Sequence, residues 1–132
     1  MDITKIKQRL LTLDKKKAIQ FIVLFGSVAT GRNNKLSDID IAIYYDGNKK
    51  ERFAFRMKAL GEFSDKIDLQ IFQDLPLYIQ KEVLKGKVIY YKDYLFTFDE
   101  FMRIIKEYDH FEKYLQEYYN AVENDSEGEA SG

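Results

Sequence analysis

The stretch Ser37-Asp38-Ile39-Asp40-Ile41-Ala42-Ile43-Tyr44-Tyr45 alternates polar and apolar residues with a period of two, the signature of a strand with two unlike faces. Ile39, Ile41 and Ile43 form one face, and Asp38, Asp40, Ala42 and Tyr44 form the other. The isoleucines belong in a core. That leaves two carboxylates side by side, about 7 Å apart along the strand. Aspartate is disfavoured in strands, and like charges on one face repel unless a cation lies between them. A divalent metal resolves the conflict, and oxygen-only ligands select Mg2+ or Mn2+.

Working outward, Ile19-Gln-Phe-Ile-Val-Leu-Phe25 is short, β-branched and aromatic, and it stops at Gly26-Ser27, which predicts a buried strand. A glycine there lets backbone amides approach an anion, so Gly26-Ser27 reads as a phosphate cradle. Ser27 can add a hydroxyl hydrogen bond, Arg32, Lys35 or a more distant lysine can neutralise a triphosphate, and Gly31 to Ser37 reads as a loop. Before the strand, Ile3, Ile6, Leu10 and Leu13 recur at helical spacing over residues 2–14.

Beyond Tyr45, Asp46-Gly47 is either a hairpin turn or the approach to a helix. The charged run after it favours a crossover helix to about Ser64, with an apolar stripe of Phe53, Met57, Leu60 and Phe63. Lys66 to Phe72 is a third strand, in which Asp68 lies between Ile67 and Leu69 on the face of Lys66 and Gln70. If strands two and three are neighbours in register, Asp68 joins Asp38 and Asp40 and acts as the base for an incoming hydroxyl. Pro76 opens a short helix ending at Gly86, and Lys87 to Tyr91 is a fourth strand. Thr97-Phe-Asp-Glu100 has the form of a capping box for a C-terminal helix over about residues 98–120. Phe101, Ile105, Tyr108, Phe111, Leu115 and Tyr118 continue along that helix at helical intervals, and residues 123–132 read as a disordered acidic tail. The fold class is α/β, or α+β: a small mixed sheet of about four strands flanked by helices, one domain over residues 1–122.

Composition bounds the chemistry. The 132 residues suit one domain, and at 45% hydrophobic and 33% charged they suffice for one core. With no cysteine and a single histidine, His110, disulfides, thiol nucleophiles and multi-histidine metal sites are excluded. No apolar run suggests a membrane span, and the N-terminus is unlike a signal peptide, so a cytoplasmic protein without a membrane partner is expected. The net charge of −1 conceals an asymmetry: residues 1–92 hold 18 basic and 11 acidic residues, a net of +7, and residues 93–132 a net of −8. Either the basic part neutralises its own acidic helix, or that helix is kept for a basic partner.

Gly26-Ser27, ten residues, Asp38-x-Asp40 and a later strand-borne Asp68 together resemble the signature of the polymerase-beta-like nucleotidyltransferase superfamily. Within it the chain is similar to the minimal nucleotidyltransferases, the MNT or MntA-type antitoxins paired with HEPN ribonuclease toxins. Their core reads Leu-Phe-Gly-Ser and then Ser-Asp-Ile-Asp, as residues 24–27 and 37–40 do here. The likeness covers about residues 1–120. It implies that Ser27 contacts the triphosphate of ATP, that Asp38 and Asp40 hold two Mg2+, and that Asp68 completes the site. Many members carry an arginine four residues after the glycine, where this chain has Thr30 ahead of Gly31, and Arg32 is the candidate substitute.

Superfamily members that modify small molecules usually add a helical domain for the acceptor, for which this length leaves no room. The resemblance therefore implies transfer of AMP from ATP to a tyrosine of a HEPN toxin, which blocks its RNase activity. The alternative is a non-catalytic antitoxin that covers the toxin with its acidic helix. Direct nucleic-acid binding is not expected, because the basic residues are scattered and no aromatic-basic motif is present. Among ten tyrosines, most read as packing, and Tyr44 on the carboxylate face is the one to test for self-modification.

Overall fold

The computed structural model describes residues 2–26 and 39–131, with side chains as far as Asn124. Helix α1 (Ile3–Leu13) is capped by Asp2, whose carboxylate accepts from the Thr4 N–H. Four strands follow the expected order: β1 (Ile19–Phe25), β2 (Ile39–Tyr45), β3 (Ile67–Ile71) and β4 (Lys87–Tyr91). The sheet order is β3-β2-β1-β4, with β1 antiparallel to both β2 and β4, and β2 parallel to β3. The parallel pair requires the crossover helix, and α2 (Lys49–Leu60) supplies it. Asn48 and Glu51 cap α2 reciprocally, so the sequence Asn-x-x-Glu starts a helix rather than a hairpin strand.

Alternation along β1 and β2 sorts the core into two layers. Ile22, Leu24, Ile41 and Ile43 pack under α1 and α2, where Ile6 and Leu10 are buried. Phe21, Val23 and Ala42 pack on the other side with Phe72, Val83 and Ile104, beneath α3 (Leu77–Val83) and α4 (Tyr94–Ser131). Phe21 is fully buried and touches the rings of Tyr44, Phe72 and Phe101 at 5.2–5.3 Å.

Two details differ from the sequence pattern. The buried face of α2 carries Phe55 and Ala59, whereas Phe53 and Met57 are exposed. Phe55 stacks on Tyr45 at 4.6 Å, and two positions of the inward stripe are arginines. Arg52 reaches Asp74 and the Gly47 carbonyl, and Arg56 donates to the Leu69 carbonyl. Their charge hides the true stripe from a count of apolar residues. Helix α4 also starts earlier than Thr97. The Asp93 side chain accepts from the Phe96 N–H, and Thr97 instead donates its hydroxyl to the Asp93 carbonyl. Glu100 pairs with Arg103 rather than closing a capping box. The helix is continuous to Ser131, through the residues for which the sequence predicts an acidic tail. Of the adjacent isoleucines, Ile104 is buried and Ile105 is exposed.

The turn between α1 and β1 rests on Asp14, a buried carboxylate that accepts from the N–H groups of Ala18 and Ile19 at 3.0 and 2.8 Å. Lys17 takes a positive φ of 53° to complete it. Changing Asp14 to Asn removes one of two charge-assisted acceptors from buried donors, at an expected cost of about 1–2 kcal/mol. Urea unfolding of the variant checks this. Among the described residues, no helix is long and apolar enough to cross a membrane.

Candidate active site

The register of the sheet brings the sequence-predicted carboxylates together. Asp40 of β2 lies directly opposite Asp68 of β3, between the Ile39–Ile67 and Ile41–Leu69 pairs. Neighbouring strands are about 4.8 Å apart, so the two carboxylates stand side by side on one face. A hydrogen bond of 2.6 Å from the Ile39 N–H to the Lys66 carbonyl pins this end of the two strands. Asp68 is held further by Gln70, whose amide donates to its Oδ1 at 2.9 Å. Gln70 is a positioning residue visible in the sequence only as a polar group on the same face.

On the other side, Phe25 pairs with Asp40, so Gly26 leaves β1 beside the Asp40 side chain. Gly26 has φ +81°, and a Cβ there would stand 2.2 Å from a carboxylate oxygen of Asp40. The glycine therefore does more than let amides approach an anion: it makes room for the carboxylate itself. Gly26, Asp40 and Asp68 thus form one cluster across three adjacent strands. Ser27, Thr30, Gly31, Arg32, Lys35 and Asp38 lie outside the described residues.

The donor set is wholly oxygen, which suits Mg2+ and excludes a soft-metal site. Among the described residues, no group of three or more acidic, histidine or cysteine side chains gathers. Asp40 and Asp68 are two of the three carboxylates of the motif, and the third, Asp38, lies outside the described residues.

Ala42 is fully buried, and Tyr44 packs against Phe21 and, at 5.0 Å, against Phe96. Burial raises the Tyr44 phenol above its usual pKa, with Glu100 and Asp46 adding to the shift. Tyr44 accordingly packs by its ring, four positions along the strand from Asp40.

Comparison with known proteins places these features in a family. Residues 5–95 match the model described as Polymerase beta, Nucleotidyltransferase. A proposed protein adenylyltransferase of Methanocaldococcus jannaschii is 33% identical over 102 residues, covering 76% of this chain and 80% of that protein. A chain of a toxin–antitoxin complex crystallised with AMP-PNP superposes with a TM-score of 0.68 at 24% identity, over 92% of this chain and 98% of that one. A chain from the Shewanella oneidensis complex of tri-AMPylated HEPN toxin with MNT antitoxin gives 0.62 at 21% identity, over 90% and 97%.

Proposed function

The chain belongs to the polymerase-beta nucleotidyltransferase family, and on that premise we propose that it is an antitoxin that transfers AMP from ATP to a tyrosine of a cognate HEPN ribonuclease toxin. The observation that carries the reading is the in-register pair Asp40 and Asp68 beside Gly26. The relatives bear on acceptor and donor: one is a proposed protein adenylyltransferase, and the two complexes contain AMP-PNP and an AMPylated HEPN toxin.

The roles follow from chemistry. Asp38, Asp40 and Asp68 would hold two Mg2+, which when bound stabilise the charge that develops on the attacking and leaving oxygens. Backbone amides at Gly26, the Ser27 hydroxyl, Arg32 and Lys35 bind the triphosphate and orient its α-phosphorus. Asp68 accepts the phenol proton of the incoming tyrosine. The tyrosine oxygen forms a bond to the α-phosphorus, the bond between the α-phosphorus and the bridging oxygen breaks, and pyrophosphate leaves. The acceptor gains AMP as a phosphodiester. The reaction belongs in the cytoplasm, where ATP and the toxin's RNA targets are found.

Intact-mass spectrometry tests the proposal: the co-encoded HEPN protein is incubated with this chain, Mg2+ and each nucleoside triphosphate in turn. One or more added AMP masses are expected with ATP, absent when Asp38→Asn and Asp40→Asn are combined. An unchanged mass, with RNase activity still suppressed in the complex, would replace transfer by inhibition through contact alone.

A further inference from the structure

Helix α4 contains one apolar seam that changes its surroundings halfway along. Phe101 and Ile104 lie on the sheet with Phe21 and Val23, and Tyr108 lies under the Lys81 ammonium at 5.4 Å. The same three-and-four spacing then continues through Phe111, Leu115, Tyr118 and Val122. Phe111, Tyr118 and Val122 are 45%, 55% and 44% exposed. A repeat of three and four sustained over three heptads is the pattern of a helix that packs lengthwise on another helix. With 38 residues, α4 is about 57 Å long, whereas a domain of about 100 residues is about 30 Å across. Its distal half therefore has no sheet beneath it.

Charge selects the occupant. Residues 109–124 carry Asp109, Glu112, Glu117 and Glu123 against Lys113 alone. Glu107 and Glu112 flank the seam on its two sides, and parallel pairing of two copies would set them against each other. A parallel second copy is thereby disfavoured, and phosphate-bearing surfaces are repelled. A helix whose own apolar seam is flanked by lysine or arginine meets every feature of the stripe.

We propose that residues 109–124 of α4 are the docking seam for a basic amphipathic helix of the protein this enzyme modifies. This rests on the transfer reading given above. The seam starts on the face of the sheet that bears Asp40, as Ala42 and Tyr44 on that face pack with Ile104 and Phe96. A partner clasped by α4 is held on the reacting side, and docking supplies orientation.

The test uses the full chain with Leu115→Asp plus Tyr118→Asp, and separately with Glu112→Lys plus Glu117→Lys. Binding of the HEPN protein is measured by calorimetry at about 0.1 and 0.5 M salt. Each pair of changes is expected to weaken binding at least about thirtyfold, the scale of interface hot spots, and high salt to weaken the wild type. Circular dichroism should be unchanged, since the altered side chains lie beyond the packed half of the helix. If the HEPN protein is bound and modified equally by all variants, the seam is overturned and the transfer reading stands. If even the wild type neither binds nor modifies it, the transfer reading fails. The seam is then judged by fluorescence anisotropy with two synthetic helices, each with a leucine seam, one flanked by lysines and one by glutamates. Preference for the lysine-flanked helix, lost in the Leu115 and Tyr118 variant, supports the seam. Preference for the other, or a wild-type dimer by light scattering that Leu115→Asp dissociates, overturns it.

Discussion

Replacing Asp40 and Asp68 together by asparagine is expected to lower AMP transfer by about a thousandfold or more, with the melting temperature unchanged or raised by a few degrees. The two carboxylates are directly opposite in neighbouring parallel strands, so in the absence of a cation they repel across about 5 Å. Asparagine has nearly the same shape. Its side-chain oxygen at position 68 still accepts from Gln70, and at position 40 it fills the space that Gly26 leaves open. The charge is removed, and on the proposed mechanism with it the means to hold a divalent ion and to take a proton. A time course of acceptor mass gives the rate, and thermal unfolding followed by circular dichroism gives stability. A rate within tenfold of wild type would remove both residues from the chemistry, and loss of folding would make them structural.

Gly26→Ala is expected to cut transfer about a hundredfold and to cost about 1–2 kcal/mol of stability. The stability loss comes from φ +81°, a region costly for any residue with a Cβ. The rate loss has a different origin. The new methyl would overlap the Asp40 carboxylate, at 2.2 Å from its oxygen and 3.2 Å from its Cγ, so the carboxylate must move by about an ångström, a displacement of the size that costs about two orders of magnitude in rate. Gly61→Ala is the control. Gly61 has φ −67°, and its added Cβ would meet nothing closer than 3.5 Å, so transfer should be unaffected. Equal loss in both variants would mean that the effect is one of general stability.

The strands were legible because their chemistry is local. Alternation in residues 38–45 and the apolar run ending at Gly26 indicate both length and facing, and the structure places β1 and β4 on the residues that the sequence indicates. The pairing of Asp40 with Asp68 was not legible, because parallel register is set by how α2 packs across the sheet, and no turn ties the two strands together. The inward face of α2 escaped for a related reason: Arg52 and Arg56 occupy it while sending their charged ends to Asp74 and Leu69. At α4, Thr97 and Glu100 have the spacing of a cap, but Asp93 is the stronger acceptor and sits where β4 ends. The nucleotide-binding half of the candidate site, Ser27 to Asp38, rests on the motif.

The same Arg56 shapes how these molecules meet one another in a crowded cell. Just before β3, Lys66 turns its carbonyl toward β2, so Leu69, three residues on, turns its own outward along the free edge, where the guanidinium covers it. At the opposite border, β4 shifts register against β1 between Ile22 and Val23, and such an irregularity twists an edge away from further pairing. Both borders of the sheet are thus poor templates for a fifth strand. Edge-to-edge addition of one molecule to another through these strands is correspondingly disfavoured.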